Sequence, residues 1–163
     1  MDHEQNGTVN TLDHFLIQRN YSPVPLNRIF LPEEHTETSV LLISQMEING
    51  VEGTFLVDTG ASVSMIGKNA MEKFNLKLHD RVPEIEAYGA GPGALENVTL
   101  SETCQIRWGT VQLEKNMVIM PIEHINRLLL SMDVELDGII GSDLLLETGA
   151  IIDYGANKLY IKP

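Results

Sequence analysis

The stretch with the clearest chemical potential is Phe55-Leu56-Val57-Asp58-Thr59-Gly60-Ala61-Ser62. An apolar run leads into a carboxylate, and the chain can then turn at a glycine. A strand would hold Asp58 at the rigid end of a sheet. Thr59 offers a hydroxyl, and Gly60 lets the backbone approach whatever lies above it. A carboxylate so placed can serve as a general base, an ion-pair partner, a metal ligand or a cap at a turn.

Other chemistries find less support. His3, His14, His35, His79 and His124 are scattered without metal-ligand spacing, and Cys104 is the one cysteine. A zinc site built on cysteines and an intrachain disulfide are therefore excluded, and no metal or cofactor is expected. Gly89-Ala90-Gly91-Pro92-Gly93 lacks the Lys-Ser/Thr of a phosphate loop. Ser62 and Ser64 have no histidine close by in sequence, so a serine triad has no positive support. Glu147-Thr148-Gly149-Ala150 mimics the Asp58 motif, but its acid is a methylene longer. Gly149 there reads as a helix cap.

The 163 residues suffice for one domain with a real core. Eleven Lys and Arg against 23 Asp and Glu give a formal charge of −12. That balance opposes nucleic-acid binding and docking on an anionic membrane. No stretch approaches the roughly 20 apolar residues of a membrane span. The N-terminus has no basic region followed by an apolar core. The sequence as it stands suggests the cytoplasm, or the periplasm or exterior if a leader has been removed.

The elements that must position Asp58 follow from pattern. Residues 1–37 are less regular and form an N-terminal arm, with an apolar cluster at Phe15-Leu16-Ile17 and an extended Tyr21–Leu26 segment set by prolines. The arm docks an apolar patch, pairs as an edge strand, or acts as a pro-segment or a regulator of the cleft. From residue 38 the pattern turns to β. Ser39–Ile48 alternates, Asn49-Gly50 signals a hairpin, and Thr54–Val57 continues as the partner. Asn69–Leu76 predicts a short helix capped by Asn69. Val82–Tyr88 and Leu95–Trp108 flank the glycine-rich tip, and Val111–Met120 is a further strand. Glu123–Met132 predicts helical turns, and Ser142–Glu147 a short helix. Ala150–Asp153 and Lys158–Ile161 close as a hairpin. Many short strands with two small helices predict a closed or sandwich-like all-β domain over 38–163.

Asp58-Thr59-Gly60-Ala61 resembles the active-site motif of the aspartic proteases, on the retroviral-type side. Asp137-Gly138-Ile139-Ile140-Gly141-Ser142-Asp143 resembles that family's second signature. With the glycine-rich tip between them, and a helix and hairpin after them, the chain is similar to bacterial single-domain retropepsin-like aspartyl proteases. The resemblance implies a mainly antiparallel closed barrel with one or two short helices, one lobe per chain. It implies Asp58 as the catalytic group, supported by Thr59, Gly60, Ala61, Ile139, Ile140 and Gly141. Tyr88, Gly89, Ala90 and Gly91 would form a flap over a peptide substrate. One Asp-Thr-Gly per chain implies a homodimer in which two Asp58 carboxylates share a proton. Ala61 offers the carboxylate one donor fewer than serine would, which predicts cleavage at mildly acidic to neutral pH. The competing class is a non-catalytic module that keeps the fold and binds peptide or protein.

Overall fold

The computed structural model describes residues 11–31, 39–80 and 98–163. The first described element is a short helix, α1 (Thr11–Ile17), which buries Leu16. β1 (Ser22–Leu31), β2 (Ser39–Ile48) and β3 (Val51–Val57) follow. Asn49 and Gly50 both take positive φ, 51° and 80°, and join β2 to β3. Such a turn carries the right-handed twist of the strands it links. β4 (Met65–Gly67) leads to a 3-10 turn (Lys68–Ala70). β5 (Thr99–Trp108) and β6 (Val111–Met120) make a long hairpin. Then come α2 (Glu123–Leu129), a 3-10 turn (Leu130–Met132), β7 (Gly138–Ile140), α3 (Ser142–Glu147), β8 (Ile151–Asp153) and β9 (Lys158–Ile161).

The strands run in the order β3-β7-β4-β6-β5-β2, and β2 pairs back with β3. The barrel thus closes and removes its edges. β1, β9 and β8 extend the sheet outward from β2. The fold is all-β and mainly antiparallel, with two parallel pairings among the described residues. β3 pairs in parallel with β7, and β4 with β6. β7 therefore lies between β3 and β4, with Leu56 opposite Ile139, and Met65 opposite Ile139 on the other side.

Period-2 alternation sends neighbouring residues of these strands into two apolar clusters. Phe55, Val57 and Ile140 pack with Phe74, Trp108 and Leu144 in the larger one. Leu56 and Ile139 face the other way, onto Ile43, Ile122, Leu129 and Leu136. The segment from Ile122 through α2 to Leu136 is what covers that second face.

Two local expectations change. Asn69–Leu76 is not an α-helix but a 3-10 turn followed by further turns, ended by Asn75 at φ 50°. A segment this short forms few helical bonds to offset nucleation. Asn69 does not cap; its amide donates to the Leu136 carbonyl at 3.1 Å. Ala70 and Phe74 of this segment are buried. The other change is β1, which lies between β2 and β9 and not at an edge. Its first half pairs with β9 and its second half with β2. Leu26 donates to the Asn157 carbonyl, toward the β9 side. Alternation then turns the nitrogens of Pro23 and Pro25 to the side left unpaired there, where a missing N–H costs no ladder bond.

Candidate active site

Asp58 stands at the first position after β3, half-buried, with Thr59 and Gly60 exposed beside it. Its Oδ1 accepts a hydrogen bond from the Gly60 N–H at 2.9 Å. The Ala61 N–H donates to the Asp58 carbonyl at 3.1 Å, so the loop turns back at once. The backbone N–H of Asp58 donates to the Ile140 carbonyl at 2.9 Å, and that of Ser142 to the Ala61 carbonyl at 2.8 Å. The loop is thereby stitched to the chain leaving β7.

Gly141 explains why that chain can come so near. A Cβ there would lie 2.7 Å from the Ala61 carbonyl oxygen and 2.9 Å from the carbonyl carbon and oxygen of Val63. Backbone atoms cannot yield as a side-chain tip can, so the position requires glycine. The structure thus brings Asp58, Thr59, Gly60, Ala61, Ile139, Ile140 and Gly141 together. Tyr88, Gly89, Ala90 and Gly91 lie outside the described residues.

A groove of about 270 Å³ opens beside the carboxylate. Val40, Leu42, Val57, Ile152 and Tyr154 line it together with Asp58 and Thr59. Its walls mix aliphatic side chains with polar surface, and Tyr154 is 60% exposed.

Two residues had no role in the expected site. Ser64 is 2% exposed; its hydroxyl donates to Asp143 Oδ1 at 2.5 Å and accepts from the Gly141 N–H at 2.8 Å. That engagement gives Ser64 a structural partner in place of a histidine. Asp143 Oδ1 also accepts from the Ser64 N–H and the Leu144 N–H, each at 2.8 Å. The signal in sequence was the acid opening α3, but its partner lies 79 residues away. The look-alike Glu147-Thr148-Gly149-Ala150 does end α3: Thr148 Oγ1 donates to the Leu144 carbonyl, and Gly149 sits at φ 55°. Glu147 pairs with Lys115 at 2.9 Å. No helix among the described residues is long and apolar enough to cross a membrane.

Comparison with known proteins adds a family. A family model described as aspartyl protease matches residues 44–144, more than half of the chain. No curated protein matches the sequence. Among solved structures, the retroviral protease-like domain of Ddi1 from Leishmania major is 20% identical at a TM-score of 0.49. That likeness covers 74% of this chain and 87% of that one. A retropepsin-like aspartic protease from Rickettsia conorii is 18% identical at a TM-score of 0.46, covering 86% and 93%. The EIAV protease complexed with the inhibitor HBY-793 is 15% identical at a TM-score of 0.42, covering 75% and 98%.

Proposed function

The chain belongs to the aspartyl protease family, and from that premise we propose an endopeptidase of retropepsin-like type that works as a homodimer. Each subunit would bring one Asp58 to a shared two-fold axis. Two carboxylates at about 3 Å cannot both ionise, so the pair holds one proton between them. The ionised partner takes a proton from water as that water attacks the scissile carbonyl carbon. The protonated partner donates a hydrogen bond to the carbonyl oxygen. Collapse of the tetrahedral intermediate then needs one proton on the leaving nitrogen, which the pair returns. No metal is called for.

The observation that carries this reading is the setting of Asp58. It stands at the tip of a loop held by β7, half-buried, beside a groove that aliphatic side chains line in part. Partly exposed Val40, Ile152 and Tyr154 give a second copy something to bury next to the carboxylate. Thr59, exposed at the same tip, would brace the two loops across the axis. Tyr88, Gly89, Ala90 and Gly91 would close over an extended peptide and exclude water. We assign 38–163 as the protease domain and 1–37 as its N-terminal extension, with α1 and β1 built onto the sheet.

The test pairs solution mass with cleavage of an unfolded protein between pH 3 and 8, for wild type and Asp58→Asn. The expected result is a dimer for both chains and cleavage in wild type alone. The loss should reach roughly a thousandfold, within the range of removing a general acid–base group. Activity should peak at mildly acidic to neutral pH; a maximum below about pH 3 contradicts the donor argument made for Ala61. A stable monomer that cleaves nothing at any pH overturns the proposal in favour of a peptide- or protein-binding module.

A further inference from the structure

The loop bearing Asp58 is closed on a single peptide unit. The Ile140 carbonyl and the Gly141 N–H belong to one peptide bond and lie in one plane. That carbonyl accepts from the Asp58 N–H at 2.9 Å, where the loop begins. That N–H donates to Ser64 Oγ at 2.8 Å, where the loop ends. The rigid plane therefore fixes both ends of residues 58–64 relative to each other. Ser64 can serve this way only while its hydroxyl hydrogen points elsewhere, and Asp143 Oδ1 takes it at 2.5 Å. Asp143 is itself oriented by the N–H groups of Ser64 and Leu144. Lys115 lies 3.7 Å from its other oxygen.

We propose that Ser64 and Asp143 are positioning residues for the reaction, acting through the Ile140–Gly141 peptide to hold Asp58 at the height at which two such carboxylates meet. The inference rests on the reading of Asp58 as the catalytic group. Neither residue touches substrate. A carboxylate displaced by an ångström leaves a proton shared across the axis out of reach, and misplacement on that scale can cost about a hundredfold in rate. Binding of the peptide, which draws on contacts away from the carboxylate, does not depend on the same height.

The experiment is a graded series at Ser64, with Asp143→Ala, read by kcat, KM, dimer mass and amide hydrogen exchange. Ser64→Ala removes the hydroxyl and should lower kcat by about ten- to a hundredfold, with KM changed by less than about threefold. Ser64→Thr keeps the hydroxyl and should restore most of kcat. Ser64→Cys, a weaker donor and acceptor, should fall between them. Asp143→Ala should match Ser64→Ala, and the double variant should lose little more, since both act on one contact. Exchange at the Asp58 and Ala61 amides should quicken in Ser64→Ala, while strand amides around Trp108 stay protected.

Full kcat in Ser64→Ala, or a rise in KM alone, overturns the proposal and leaves the assignment of Asp58 standing. Unchanged exchange at Asp58 and Ala61 overturns it too. A wild-type chain without Asp58-dependent cleavage defeats the reading of the site, and the exchange comparison still decides whether Ser64 clamps the loop. Should Ser64→Ala fail to fold, the comparison of Thr with Cys decides: equal kcat in the two sinks the idea.

Discussion

Lys73 reaches across 64 residues of sequence to place its ammonium 2.7 Å from Oδ2 of Asp137. The same oxygen accepts the Thr54 N–H at 2.8 Å, and the Asp137 N–H donates to the Thr54 carbonyl. Asp137 is 7% exposed and precedes β7. It therefore sets where β7 enters beside β3, one strand-length from the Asp58 loop. Asp137→Ala frees a buried backbone donor and should cost about 2–3 kcal/mol in urea unfolding. Lys73→Met should cost less, about 1 kcal/mol, because the Lys73 side chain is partly exposed. Equal losses in the two variants would contradict this ranking.

Gly141→Ala is predicted to injure both stability and chemistry. The new methyl meets backbone of Ala61 and Val63, not a flexible tip. Overpacking of this kind costs about 1–3 kcal/mol. Relief would push the Asp58 loop away from β7, so cleavage should fall about a hundredfold. Thermal unfolding and single-turnover rates on the same sample check both halves.

Acid should weaken an ion pair at the far end of the barrel. Both nitrogen arms of the Arg107 fork bond Glu47, one of them at 2.6 Å. Those bonds hold the Glu47 carboxyl below its ordinary pKa of 4.5. A depressed folded-state pKa means stabilisation that is present above the unfolded value and lost as pH falls through the folded one. Glu47→Gln should therefore melt below wild type at pH 6; the gap should begin to narrow as pH falls past about 4.5 and close only below the lower folded-state value. Asp13, held low by the Tyr160 hydroxyl and Lys158, follows the same sign from its ordinary 3.8. A gap between wild type and Glu47→Gln that widens in acid would refute the linkage.

A buried polar contact in the barrel interior should be costly to lose. Trp108 Nε1 donates to Ser44 Oγ at 2.9 Å, and neither residue has exposed surface. Ser44→Ala leaves a buried indole donor unmatched, a loss of about 1–3 kcal/mol. Urea midpoints, with tryptophan emission as the probe, measure it; an unchanged midpoint would mean water takes the place of the hydroxyl.

Much of the architecture was legible along the chain. Ser39–Ile48, Val111–Met120 and Ser142–Glu147 fold over the residues their patterns mark. Period-2 alternation, the Asn49-Gly50 turn and the acid opening α3 are signals carried within ten residues. Asp58 and the Ile139-Ile140-Gly141 run were legible for the same reason, each sitting in a distinctive short string.

What required the tertiary structure has separation in common. The first half of β1 finds its partner in β9, more than a hundred residues on. Nothing near Ser64 announces Asp143, and nothing near Lys73 announces Asp137. A hydrogen bond between remote side chains leaves no period and no turn residue in either neighbourhood. Local sequence determined which strands and turns form, and where a carboxylate meets a glycine turn. The closing of the barrel decided which polar groups meet around that turn, because only packing of β7 between β3 and β4 brings them within 3 Å.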